Sequence, residues 1–155
     1  MIDGVQVIPL RRFEDERGWF EELMRSSLLP KPVRQSNLVF SRKGVIRGLH
    51  YHERGQDDLF ACLRGMVRVV VLDRESGETF SEDIGDDNPV GVYVPGHHAH
   101  GYEALADCLF LYHVTEEYDP DDPDEYGVCW SDPRVKHLWS TESPILSERD
   151  LAACS

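Results

Sequence analysis

The sequence predicts an all-β domain, a sandwich or a small barrel, and three observations carry that reading. Short β-branched and aromatic runs recur along the chain, glycine and proline stand between them, and convincing helical periodicity is scarce. In order the runs are "GVQVIPL", "GWFEEL", "RQSNLVFS", "GVIRGLHYH", "DLFACLRG", "MVRVVVLD", "GVYVPG", "HGYEAL" and "CLFLYHV". Each is about the length of a strand and rich in side chains that suit a pleated, half-buried surface. "DRESGETF" has the turn residues of a hairpin between two strands. Short peripheral helical turns are expected at "FEELMRSSL" and at the tail "SERDLAAC", where Ser147 is suited to cap a terminal turn. "TEEYDPDDPDEYG", residues 115–127, is marked as a surface loop by its prolines and aspartates, and its charge reads as a solvated face.

A length of 155 residues fits a single domain, 1–155, with enough chain to bury a core. Hydrophobic residues make up 41% and fall in short runs, none near the roughly 20 residues a membrane span needs. The opening "MIDGVQVIPLRRF" lacks the basic-then-apolar pattern of a secretion signal, so a cytoplasmic location is expected. Cys62, Cys108, Cys129 and Cys154 show no CxxC spacing, and no structural disulfide is expected in that compartment. The formal net charge of −13 argues against nucleic acid or an anionic membrane as a partner. It leaves room for a small anionic substrate held by local arginines, such as those in "PLRRFEDERGWF" and "VIRGLH".

A small β-barrel offers one functional place, where inward-facing side chains converge. The stretch "VIRGLHYHERGQDD", residues 45–58, supplies the first candidates. Strand alternation puts His50 and His52 on one face, with Leu49 and Tyr51 on the other. Two imidazoles aimed the same way suit either a metal ion or a sugar with a labile proton. Alternation from Gln56 to Cys62 places Gln56, Asp58, Phe60 and Cys62 on a common face, and in "PGHHAHGY" it places His98 and His100 together. Tyr112 lies in the apolar run "CLFLYHV", where a phenol has a dry environment, and Tyr118 lies just beyond it.

Seven segments in order then carry a resemblance: "DERGWFEE" at 15–22, "RQSN" at 34–37, "GVIRGLHYH" at 44–52, "PGHHAHGYEAL" at 95–105, "FLYHVTEEYDP" at 110–120, "YGVCWSDP" at 126–133 and "LSERD" at 146–150. Together they resemble the dTDP-4-dehydrorhamnose 3,5-epimerases, deoxysugar-nucleotide epimerases of the cupin superfamily. The resemblance implies a cupin-type double-stranded β-helix, or jelly roll. It also implies a nucleotide-diphosphate 4-keto-6-deoxy sugar as substrate and no metal or organic cofactor. On the matching positions, His50 resembles the base that removes a proton next to the C4 ketone, and Asp150 the carboxylate that orients it. Tyr112 resembles the acid that returns a proton to the opposite face. Gln35, Asn37, Arg47 and His100 resemble residues lining the sugar and phosphate site, and His52, Asp58 and Tyr118 are expected to contact the substrate beside them. Arg17, Phe20 and Glu22 resemble a segment lent to a neighbouring subunit, so a homodimer is implied. The chemistry is self-consistent, because a proton α to a ketone is within reach of an imidazole base once the enolate is stabilised.

The chain departs from the family pattern at two positions. Asp58 stands where a lysine is usual, and a carboxylate there would oppose an enolate unless it points elsewhere or Arg47 compensates. His52 stands where a glutamine is usual. The resulting H-x-H also resembles the sugar-nucleotide 3,4-ketoisomerases and the first motif of metal-binding cupins, in which His50, His52, Gln56 and His100 would surround an ion. A non-catalytic binding cupin is the remaining alternative.

Overall fold

Eleven of the twelve strands form before the chain reaches its acidic loop. The computed structural model, which describes residues 1–155, has β1 (Gln6–Pro9), β2 (Arg11–Asp15), β3 (Gly18–Glu22), β4 (Gln35–Ser41), β5 (Ile46–Tyr51) and β6 (Asp58–Arg64). These are followed by β7 (Met66–Leu72), β8 (Thr79–Gly85), β9 (Val90–Val94), β10 (Ala99–Ala104), β11 (Cys108–Val114) and β12 (Tyr126–Gly127). A single helix, α1 (Glu148–Ala152), ends the chain. The strands build two five-stranded sheets, ordered β1-β9-β6-β11-β4 and β12-β5-β10-β7-β8, with β2 and β3 as a separate hairpin. All of the strand pairings are antiparallel. Two sheets face to face in this way make the expected jelly roll.

The run "MVRVVVL" shows why both sheets are needed. Val67, Val69 and Val71 point inward and join Phe60, Val92, Val94, Tyr102 and Phe110 in the core between the sheets. Val70 and Leu72 point the other way, yet are equally buried, in a second cluster with Ile46, Leu49, Val135 and Trp139. A strand that is apolar on both faces must be covered on both. The second cover is the segment from Val128 to Ser147, which crosses the outer face of the sheet. Trp139 is packed into it, its indole N–H donating to the Trp130 carbonyl at 2.8 Å. The buried Glu103 carboxylate accepts from the Ser140 amide at 2.8 Å and from the Ser140 hydroxyl. Ile145 then exchanges backbone hydrogen bonds with Gly44 and Ile46. This strap delivers α1 to the edge of β5.

All nine expected strand runs are present, and the "DRESGETF" turn joins β7 to β8. α1 forms as expected, with the Asp150 amide donating to Ser147 Oγ at 3.1 Å. Elsewhere the structure corrects the sequence reading. Phe20–Glu22 belong to β3, and only Ser26–Leu28 of "FEELMRSSL" turns, as a 3-10 helix. Pairing with β2 outweighs the weak helical pattern, and Phe13 sits opposite Phe20 in that hairpin. His98 and His100 do not share a destination. β10 begins only at Ala99, and the buried His98 donates from Nε2 to the Asp3 carbonyl at 3.0 Å, while His100 lines the interior cavity.

The cysteines divide in a way their spacing did not foretell. Cys62 and Cys108 are buried small hydrophobes as expected, but Cys129 and Cys154 form a disulfide. The fold brings the two together because Gly127 pairs with His50 on β5 and Ala153 packs against Gly127.

The strap yields a test. Trp139→Ala is expected to cost about 3–5 kcal/mol in urea unfolding, the usual loss for a large buried aromatic. It should also speed hydrogen exchange at the Gly48 amide, which is bonded to Asp150 beyond the strap. Unchanged stability would show that the strap is not part of the core.

Candidate active site

A cavity of about 650 Å³ opens between the sheets, lined by β4, β6 and β11 on one side and β5 and β10 on the other. Loop residues 116–125 and the start of α1 form its rim. One irregularity in β5 decides what faces it. Regular alternation would send Arg47 and His50 to opposite faces, yet both line the cavity. The β5–β10 register shifts between the His50–His100 and Arg47–Tyr102 pairs. That shift occurs where Gly48 and Gly101 meet backbone to backbone. Gly48 has φ +135°, and a Cβ on it would lie 2.8 Å from the Gly101 Cα. Glycine at both positions lets the strands close. Leu49 turns into the second core, while His50 and His52 both face the cavity, as alternation beyond the shift requires.

His50 is held by the C-terminal turn. Its Nε2–H donates to Asp150 Oδ1 at 2.6 Å, and Asp150 Oδ2 accepts the Gly48 amide at 3.1 Å. Burial works against the Asp150 anion, but the His50 hydrogen bond and charge, the Gly48 amide and Ser147 outweigh it, holding its pKa below the ordinary carboxylate value. This bonding leaves Nδ1 as the basic nitrogen. Glu125 Oε1 stands 3.4 Å from it, and Glu125 is itself paired with Arg149 at 2.7 Å.

Deeper in the cavity His52, Asp58 and His100 form a compact group, each at most 5% exposed. His52 Nδ1–H donates to the Asp124 carbonyl at 2.6 Å, and His100 Nδ1–H to the His98 carbonyl at 2.8 Å. Both rings therefore present Nε2 to Asp58, at 3.6 Å from Oδ1 and 3.3 Å from Oδ2 respectively. Gln56 Nε2 donates to Asp58 Oδ1 at 3.0 Å. Burial lowers the His52 pKa, and the His100 charge lowers it further, against the pull of Asp58. Burial also presses His100 downward, but the charge and hydrogen bond of Asp58 prevail and raise it. Asp58 therefore neither points away from the cavity nor pairs with Arg47. Arg47 donates instead to Ser41 Oγ at 2.9 Å and to the Phe40 carbonyl at 3.4 Å.

Tyr112 faces this group from β11, opposite Asn37 on β4 and Phe60 on β6. Burial first, then the charges of Asp58 and Glu125, raise its pKa above the ordinary phenol value, with Arg47 and Asn37 opposing. The hydroxyl thus keeps its proton at neutral pH. Gln35 and Asn37 are bonded to each other at 2.9 Å, and Gln35 Oε1 accepts the Tyr118 amide at 2.8 Å, which sets Tyr118 on the rim.

Ten of the residues singled out from the sequence thus line one cavity: Gln35, Asn37, Arg47, His50, His52, Asp58, His100, Tyr112, Tyr118 and Asp150. Arg17, Phe20 and Glu22 do not. They lie on the β2–β3 hairpin, with Arg17 paired to Asp15, Glu22 paired to Arg25, and Phe20 65% exposed. The sequence reading missed Asp124, Glu125 and Arg149. Asp124 and Glu125 fall inside the acidic run read as a solvated face. Asp124 instead accepts the amides of Glu53 and Arg54 at 2.9 and 2.8 Å, fastening the loop over the cavity. A carboxylate pair directly ahead of a strand residue was the available signal.

The family model for dTDP-4-dehydrorhamnose 3,5-epimerase matches residues 1–155. The spore coat polysaccharide biosynthesis protein SpsL of Bacillus subtilis (strain 168) is 39% identical over 150 residues, 92% of this chain and 99% of that protein. The dTDP-4-dehydrorhamnose 3,5-epimerase of Escherichia coli (strain K12) is 35% identical, over 96% of this chain and 88% of the relative. Among solved structures, NovW is a 4-keto-6-deoxy sugar epimerase from the novobiocin biosynthetic gene cluster of Streptomyces spheroides. It superposes with a TM-score of 0.87 at 32% identity, covering 97% of this chain and 81% of its own. With a jelly roll, a His–Asp pair and a buried tyrosine around one cavity, the chain belongs to the dTDP-4-dehydrorhamnose 3,5-epimerase family.

Proposed function

We propose that this chain epimerises a nucleotide-diphosphate 4-keto-6-deoxy sugar at C3, at C5 or at both. The observation that carries the reading is a His–Asp pair and a buried tyrosine lining one cavity. His50, whose Nε2 is bound to Asp150 so that Nδ1 is the free nitrogen of the neutral ring, takes the proton α to the C4 ketone. The imidazolium that forms is flanked by Asp150 and Glu125, which stabilise its charge. Tyr112, kept protonated by burial and by nearby carboxylates, returns a proton from the other side of the ring. A base on one face and an acid on the other is the minimum for inversion. Gln35, Asn37 and Tyr118 would contact the sugar nucleotide, and Arg47 its phosphates. The charge that develops on the ketone oxygen would face His100, whose charged form is favoured by Asp58.

The same reading makes the protein a homodimer. β4 is the free edge of its sheet, and Leu38 and Phe40 on it are 63% and 52% exposed. The β2–β3 hairpin adds Phe13, Trp19 and Phe20, all about half exposed or more. Apolar area of this kind on an edge strand calls for a partner. Arg17, Phe20 and Glu22 would then reach the partner's cavity. The cytoplasmic location expected from the sequence is retained. No helix is long and apolar enough to cross a membrane.

Three outcomes follow from this reading, and a fourth from the disulfide. His50→Ala should lower epimer formation by at least about 10²-fold, the ordinary worth of a positioned base. Tyr112→Phe should leave proton removal intact while slowing epimer formation by a similar factor, so exchange and product yield separate. Equal rates of product formation for Tyr112→Phe and wild type would remove Tyr112 from the acid role. Leu38→Asp combined with Phe40→Asp should convert a dimer to a monomer by light scattering. Thiol titration of denatured, non-reduced protein should detect Cys62 and Cys108 only, and reaction of all the cysteines would deny the Cys129–Cys154 bond in the cell.

A further inference from the structure

We propose that His52, Asp58 and His100 form a binding site for a divalent transition-metal ion. Their three ligand atoms lie within 4.8 Å of one another, and all three residues are buried. The hydrogen bonds around them are those a metal site needs. Each ring spends its Nδ1–H on a backbone carbonyl, of Asp124 for His52 and of His98 for His100. That directs Nε2 of each ring toward the Asp58 carboxylate. Metal-ligating histidines are anchored in the same manner, through the nitrogen that does not touch the ion.

Two imidazole Nε2 atoms and one carboxylate converge in a buried space, with the Gln56 amide beside them, 3.2 Å from His52 Nε2 and 3.0 Å from Asp58 Oδ1. A metal ion entering there would displace the proton shared between His100 and Asp58. The spacing suits an ion. Ligand atoms about 2.0–2.2 Å from a tetrahedral ion are about 3.3–3.6 Å apart, and here each imidazole nitrogen lies 3.3 or 3.6 Å from the nearer oxygen of the Asp58 carboxylate.

The donor chemistry selects the class of ion. Two imidazoles and one carboxylate favour zinc, ferrous iron or cobalt over magnesium or calcium, which prefer all-oxygen sites. A fourth position would open toward the cavity, where Gln56 or a substrate oxygen can enter. The set differs from the one the H-x-H motif suggests, because His50 is committed to Asp150 and Asp58 takes its place. Resting on the epimerase reading, the bound ion would supply positive charge at the ketone oxygen in a site otherwise facing a carboxylate.

The test needs no substrate, so it stands apart from the epimerase reading. Protein stripped with a chelator is titrated with Co(II), following the visible absorbance and the metal content per chain. The expected result is saturation at about one cobalt per chain with a tetrahedral-type band. Asp58→Asn and His52→Gln, checked by circular dichroism to be folded, should weaken binding by at least about 100-fold, while His50→Ala leaves it unchanged. Absence of binding to the folded wild type would overturn the proposal and leave a protonated His100–Asp58 ion pair. Binding lost in His50→Ala but kept in Asp58→Asn would overturn it too, in favour of a different ligand set. Cobalt-loaded protein that epimerises no nucleotide-diphosphate 4-keto-6-deoxy sugar would support the metal site and sink the catalytic reading.

Discussion

One carboxylate joins the end of the chain to the strand at its centre. Asp150, 5% exposed, accepts from the His50 imidazole at 2.6 Å and from the Gly48 amide at 3.1 Å. A buried carboxylate is costly unless its lone pairs are filled, and here they are filled by β5. The C-terminal segment therefore has to arrive in one place. Trp139 in the second core, Glu103 on Ser140, the Ile145 contacts with β5 and the Cys129–Cys154 bond all act before or around α1 and fix where Asp150 lies. The jelly roll supplies the cavity, and the strap supplies the partner that makes His50 directional.

In the proposed reaction two groups handle protons. His50 is flanked by Asp150 and Glu125, carboxylates placed to stabilise the imidazolium once it forms, while Tyr112 is buried among negative charges that disfavour phenolate. The surface of the molecule is strongly acidic, with a formal charge of −13, so the cationic groups around the cavity matter locally rather than through the overall field. Arg149 illustrates this, since its charge is spent on Glu125 and holds that carboxylate beside His50.

Much of this was legible in the sequence because strands with one or two apolar faces announce themselves. β7 reads "MVRVVVL" and β11 "CLFLYHV", and both lie in the core. The hidden elements are polar. β2, "RRFED", is mostly exposed and owes its pairing to β3, while β8, "TFSEDIG", was implied only by the turn before it. Arg47 and His50 could be placed together only by knowing of the register shift at Gly48 and Gly101. Asp58 was visible as an oddity, but its partners come from β10 and the turn before β6, contacts that no local pattern encodes. Asp124 and Glu125 were hidden for the opposite reason, since an acidic loop looks solvated whether or not a tertiary contact fastens it. Cys129 and Cys154 are 25 residues apart, and only the β12–β5 pairing draws their segments together.

The central claim is that proton transfer next to a sugar ketone occurs in this cavity, and exchange with solvent reads it most directly. The wild-type protein would be incubated in deuterated water with a nucleotide-diphosphate 4-keto-6-deoxy sugar, and the ring carbons followed by NMR. Deuterium should appear at C3, C5 or both, with the carbonyl still at C4 and the configuration inverted at the labelled carbon. A product whose carbonyl has moved to C3, or no deuterium at either carbon, would contradict it.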